Sequence, residues 1–229
     1  MAKPGLLTRL RAELSGAGDP KKTAAMQAYM KSAMPYWGVQ TAAQRAITRR
    51  LFAAHRLKTA AEWRQACLNI WRNAQYREER YAAIELTGFK YYREWQTLDT
   101  LPMYEEMIVT GAWWDYVDQI ASGRLGPLLR GNPARMRSKM LQWSRSRNLW
   151  KRRSAILCQL SFKTETDLDL LYTAIEPSLA SKEFFLQKAI GWALRQYAWT
   201  DPREIRRYIR ANAHLLSPLS KREALKNIQ

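Results

Sequence analysis

The chain has little of what most enzyme classes require. Among its 229 residues there are two cysteines and two histidines. Cys67 and Cys158 fall inside apolar helical patterns, where an unpaired cysteine serves as a small buried hydrophobe. His55 and His214 are far apart in sequence and have no cysteine or carboxylate cluster beside them, so no metal site is expected. A glycine-rich phosphate loop and a G-x-S-x-G stretch are both missing, which removes nucleotide hydrolysis and serine-esterase chemistry. β-Branched runs are missing as well, so no strand is predicted. Long apolar runs are also absent: Leu6-Leu7 is followed at once by Arg9 and Arg11, too short for a signal peptide, and no stretch reaches membrane-spanning length. With neither an amphipathic anchor nor a lipidation signal, no membrane partner is expected, and the predicted location is the bacterial cytoplasm or nucleoid.

Acid is scarce too. Lys and Arg total 38 against 20 Asp and Glu, a net charge of +18 that exceeds what solubility requires and points to a polyanionic partner, DNA or RNA first.

What the chain does have is helix formers, with apolar residues recurring at three and four positions. Start signals are frequent. Thr59 before Glu62 and Ser220 before Glu223 read as capping boxes, while Asn132-Pro133 and Asp201-Pro202 place Pro at a first helical position. Residues 16–20, Trp37-Gly38, residues 123–127 and Ser217-Pro218 read as turns. Arg45, Arg80, Asp118, Arg153, Lys188 and Arg222 are separated by 35, 38, 35, 35 and 34 residues, a period the size of one helix pair. The expected fold is therefore all-α, an α-solenoid of HEAT-like helix pairs in one domain, 1–229, carrying a basic stripe on a concave face. In 80–86, 152–157 and 187–192 small and branched apolar residues face inward beyond the basic position, and a small residue directly after it, as at Ser154 and Ala189, lets helices approach closely, marking the inner helices.

Asp118 is the exception in a basic column. A carboxylate hinders anion binding, so its presence there suggests chemistry. On a helix Trp114 and Asp118 stand at i and i+4 and share a face, and Lys188 and Trp192 repeat that relation two periods later. The competing reading makes Trp113 and Trp114 core aromatics and pairs Asp118 with a neighbouring arginine. Most of the ten Trp and eleven Tyr are expected in packing roles, with a minority exposed to stack on bases or sugars. The run 144–153, with Arg145, Arg147, Lys151, Arg152 and Arg153 around Trp150, is denser in cations than a solvated face requires.

Five stretches then carry a resemblance over nearly the whole chain: Ala28 to Lys31, Trp113 to Asp118, Asn148 to Arg153, Ser181 to Trp192 and Pro218 to Ala224. Through them the sequence resembles the DNA alkylation repair glycosylases of the AlkD type, HEAT-like repeat proteins. The resemblance implies a monofunctional glycosylase of base excision repair that releases N3- and N7-alkylated purines from duplex DNA, without metal or organic cofactor. It places Asp118 at the catalytic carboxylate position, Trp114 and Trp192 in an aromatic cleft, Arg153 at the adjacent basic position, and Tyr29 and Gln40 at lesion-side contacts. The 34–38 loop before Gln40 departs from the family pattern, which bears on substrate range.

The residues themselves fit that chemistry. Most glycosidic cleavage uses two carboxyl groups, one of them a proton donor, and here one carboxylate stands out. An alkylated purine already carries positive charge and leaves as a neutral base, so a single anion that stabilises the developing sugar cation and orients water suffices. Arg153 is expected to grip a phosphate, and Arg45, Arg80, Lys188 and Arg222 to hold DNA backbone. The protein is expected to be a monomer. Two other readings stay open: a non-catalytic module that binds damaged or branched DNA, and a scaffold whose groove takes an acidic peptide.

Overall fold

A computed structural model describes residues 5–228, which form fourteen α-helices and no strand. None of these helices is long and apolar enough to cross a membrane. The chain gathers into two compact units, 1–103 and 104–229, where the period argues for one domain over 1–229.

The first unit holds α1 (Leu6–Gly16), α2 (Pro20–Met30), α3 (Thr41–Ala54), α4 (Ala60–Arg72) and α5 (Arg77–Thr87), followed by 3-10 turns at Lys90–Trp95 and Leu98–Thr100. Its core mixes large and small side chains: Trp63, Trp71, Tyr92 and Phe52 are buried, and so are Ala82 and Ala83 of α5. Trp63 keeps its polar edge satisfied by donating from Nε1 to the Leu86 carbonyl at 3.1 Å. Thr59 caps α4 through the Glu62 amide at 3.1 Å, and Glu62 reaches back to the Lys58 amide at 2.8 Å.

A buried carboxylate organises the loop ahead of α3. Glu78 of α5 is fully buried and accepts from the amides of Trp37, Gly38 and Val39 at 3.1, 3.0 and 3.1 Å. Gly38 sits at φ +86, where a Cβ would also meet the Asp19 carbonyl oxygen at 2.2 Å, so the loop closes only around glycine. Trp37 stacks on Tyr76 at 3.6 Å between centroids.

The division falls inside α6 (Leu101–Gly111), and the second unit continues with α7 (Trp114–Ile120), α8 (Gly126–Gly131), α9 (Pro133–Ser144), α10 (Leu149–Leu157), α11 (Leu168–Ile175), α12 (Phe184–Ala198), α13 (Pro202–Ala211) and α14 (Pro218–Leu225). Helix α10 packs against α7, α9 and α12, and α12 packs most closely against α14. Ile156, Leu157, Leu171, Ile175, Leu186, Ile190, Leu194 and Ile205 form the core between them. On α13 Ile205, Tyr208 and Ile209 face that core while Arg203, Arg207 and Arg210 face solvent. Burial pushes the Cys158 thiol up to about 12, which suits a packing residue and not a nucleophile.

Two local expectations are corrected. Residues 123–127 do not form a turn: 121–125 is π-helical and runs directly into α8. Pro127 has no amide to return to the Gly123 carbonyl, and the Arg124 guanidinium donates to that oxygen at 2.8 Å instead. Gly126 is needed because a Cβ there would lie 2.6 Å from the Cys158 carbonyl oxygen. Ser220 is not a cap either. Ser217 caps α14, accepting from the Ser220 amide at 3.0 Å with Pro218 in the first turn, and the buried Ser220 hydroxyl donates to the Gln187 carbonyl at 2.9 Å.

Candidate active site

Helix α7 begins where Ala112, at φ 44, turns the chain out of α6 in the left-handed region. Trp113, extended at the N-cap, is held by aromatic edges, 5.5 Å from the Phe185 centroid and 6.3 Å from that of Trp150. That anchor orients the next turn. Trp114 and Asp118 both line one open cleft of about 320 Å³, as their i, i+4 spacing predicts.

Asp118 is 8% exposed and Arg153 is 4% exposed. The guanidinium forks onto the carboxylate, Nε to Oδ1 and Nη2 to Oδ2, both at 2.7 Å. Asn148 fixes the start of α10 by accepting from the Trp150 and Lys151 amides at 2.9 and 3.1 Å, which sets where Arg153 points one turn later. Burial pushes the Asp118 carboxyl above its ordinary value, and the Arg153 hydrogen bonds oppose that push. The expected phosphate grip of Arg153 gives way to this pair, because its remaining Nη1 donates to the Phe185 carbonyl inside the protein.

The Asp118 pairing anticipated by the competing reading is therefore present, but the carboxylate remains in the cleft wall. Trp192 enters the same wall from α12, along with Phe184, Phe185, Lys188 and Arg195, and α14 contributes Glu223. Positions 188, 192 and 195 share one face of α12. The Lys188 ammonium lies 3.0 Å from Glu223 Oε1 and Arg195 Nη1 lies 2.9 Å from Oε2. Those cations hold the Glu223 carboxyl below its ordinary value, Lys188 most strongly.

Glu223, Arg195, Phe184 and Phe185 escaped the sequence reading. The repeat column ended one residue early, on exposed Arg222, and the Ser220-x-x-Glu223 spacing resembled a capping box. The cation run 144–153 also resolves differently. Lys151 pairs with Glu105, Arg152 donates to the Ser178 hydroxyl and to the Pro177 carbonyl, and Arg153 is buried, leaving Arg145 and Arg147 exposed. Among the described residues no group of three His, Cys, Asp or Glu could hold a metal ion.

The other predicted site residues lie in the first unit. Tyr29, in the last turn of α2, is 76% exposed, and Gln40 is the exposed N-cap of α3. Arg45 is exposed on α3, 3.9 Å from Glu85, and Arg80 of α5 lies 4.8 Å over the Trp71 ring.

The sequence profile of the DNA alkylation repair enzyme family matches residues 10–228. A solved structure described as a predicted DNA alkylation repair enzyme from Enterococcus faecalis superposes with a TM-score of 0.80 at 28% identity, covering 92% of this chain and 96% of that one. No curated protein sequence matches. With a profile spanning almost its full length and a neighbour alike in fold throughout, the chain belongs to the DNA alkylation repair enzyme family.

Proposed function

We propose that the protein is a DNA glycosylase that hydrolyses the N-glycosidic bond of cationic N3- and N7-alkylated purines in duplex DNA, leaving an abasic site. The observation that carries this reading is a buried carboxylate, fixed by a two-pronged guanidinium, in one cleft wall with two indoles. The carbon–nitrogen bond breaks with both electrons going to the base, whose positive charge they cancel, so no proton donor is required. Asp118 stabilises the cation that grows on the deoxyribose and orients the water that adds to it. Trp114 and Trp192 present ring faces to the sugar and lesion, each contributing roughly 0.5–2 kcal/mol of cation–π attraction. Tyr29, Gln40, Arg45, Arg80 and Arg222 supply lesion-side and backbone contacts that set register, whereas Lys188, expected among the backbone contacts, is engaged by Glu223. The +18 charge of the chain favours the DNA polyanion over an acidic peptide.

Neither cleft carboxylate suits a neutral leaving group. Glu223 is held ionised by two cations, and both Asp118 oxygens are taken up as acceptors by the Arg153 fork, so neither is set to donate a proton. Release of 7-methylguanine from a duplex is therefore expected, with uracil released at least about a hundredfold more slowly. Comparable rates for the two would overturn the cationic leaving-group argument. The acid limb of the single-turnover rate should belong to Asp118: because burial raises its carboxyl, activity is lost on acidification at a pH above the ordinary aspartate value of 3.8. A flat profile down to pH 4 would separate the rate from this group.

The Asp118–Arg153 pair also favours a second reading, in which the carboxylate is structural and the cleft binds damaged DNA without hydrolysis. Tight binding to 7-methylguanine duplex with no base release would select it.

A further inference from the structure

We propose that Glu223 is a positioning residue that tunes the cleft for a cationic base, by engaging Lys188 and Arg195 so that neither spends its charge on phosphate. The inference rests on the glycosylase reading for its consequence, but the clamp itself is geometric.

Helix α14 is seated so that its carboxylate must enter the cleft. A Cβ on Gly191 would lie 2.5 Å from the Glu223 Cβ and 2.9 Å from the Ser220 carbonyl oxygen, so α12 and α14 touch backbone to backbone at this point. The Ser220 hydroxyl, bound to the Gln187 carbonyl at 2.9 Å, fixes the rotation of α14 on α12. Each oxygen of Glu223 then takes one cation, on either side of Trp192 along α12.

The charge balance of the cleft explains why this matters. Asp118 and Arg153 cancel, leaving Lys188 and Arg195 against Glu223. Without Glu223, two uncompensated cations would stand beside the indole that receives a positively charged base. They would repel that base and attract undamaged DNA through its phosphates. With Glu223 in place the three cations of the cleft, Arg153, Lys188 and Arg195, face two carboxylates, a net charge of +1 where its loss would leave +2. The same carboxylate holds both neighbours of Trp192 in fixed positions, and so fixes the wall against which the lesion packs.

The test uses the full chain and a labelled undamaged duplex. Glu223→Gln keeps side-chain length and the contact over Gly191. It is expected to bind this duplex severalfold more tightly than wild type at low salt, with a plot of log K against log salt steeper by about one to two counterions. Its single-turnover release of 7-methylguanine is expected to fall about five- to tenfold. Lys188→Gln completes a cycle that a folding defect does not mimic: alone it should change the salt slope little, because that charge is already engaged, whereas in the Glu223→Gln background it should remove about one counterion. Equal salt slopes for wild type and Glu223→Gln would overturn the proposal and leave Glu223 a packing residue. If wild type releases no base while the slope still steepens in Glu223→Gln, the clamp is upheld and the glycosylase reading falls.

Discussion

An Asp118→Asn variant is expected to lose at least a hundredfold in single-turnover release of 7-methylguanine while still binding DNA. The substitution preserves shape and keeps one oxygen that can accept from Arg153, but besides removing the negative charge it sets an amide NH2 against the second guanidinium N–H, so stability is measured beside the rate. A preorganised group facing the charge that develops in a transition state typically supplies about 2.7–4 kcal/mol, or ~10²–10³ in rate, when removed singly. Two features of this site place the effect toward the upper part of that span. The carboxylate is 8% exposed, so water screens it little, and it is held in place before reaction by two 2.7 Å hydrogen bonds. Circular dichroism and affinity for undamaged duplex serve as controls for fold and binding. Unchanged base release by folded Asp118→Asn would remove the carboxylate from the mechanism.

The second large effect is on stability. Arg153→Ala strands a buried carboxylate and empties the space of a side chain that is 4% exposed, and removing one partner of such a pair typically costs about 3–5 kcal/mol. The Phe185 carbonyl loses its side-chain donor too, and with it a tie to the aromatic cluster of Trp113, Trp150 and Phe185. The expected result is a marked fall in the urea midpoint, followed by tryptophan fluorescence, together with loss of base release. Replacing both partners by apolar residues, Asp118→Leu with Arg153→Met, should recover much of the stability and none of the activity, since no charge is then left buried and unpaired. Recovery of both would mean that the pair serves only the fold. An Arg153→Ala protein as stable as wild type would mean that the pair does not carry the fold.

The elements that sequence made legible are those whose causes are local. Thr59 caps α4 because a hydroxyl beside a helix start has the Glu62 amide within reach whatever else surrounds it. Trp114 and Asp118 share a face because α7 is a helix, and the spacing needs no tertiary information. Residues 123–127 were misread because Gly and Pro break an isolated helix, while here the Arg124 guanidinium and the close approach to α10 make a π-helical passage acceptable. Ser220 was misread because its spacing to Glu223 fits a cap, whereas burial against Gln187 assigns its hydroxyl elsewhere. Phe185 and Glu223 lie inside motif stretches and Arg195 just beyond one, but no local spacing tells that they enter the cleft.

Sequence alone determined the helical class, the excess of positive charge, the face that joins Trp114 to Asp118 and the likeness to alkylation repair glycosylases, because each depends on composition, on residues within one turn of each other, or on motifs legible without coordinates. Only tertiary structure decided which charges are free. Arg153 reaches Asp118 from 35 residues away, Glu223 meets Lys188 across the same interval, and Lys151 and Arg152 turn inward. Charge-assisted bonds of this kind form between helices distant in sequence and depend on distances of a few tenths of an ångström, which packing sets and a residue count does not.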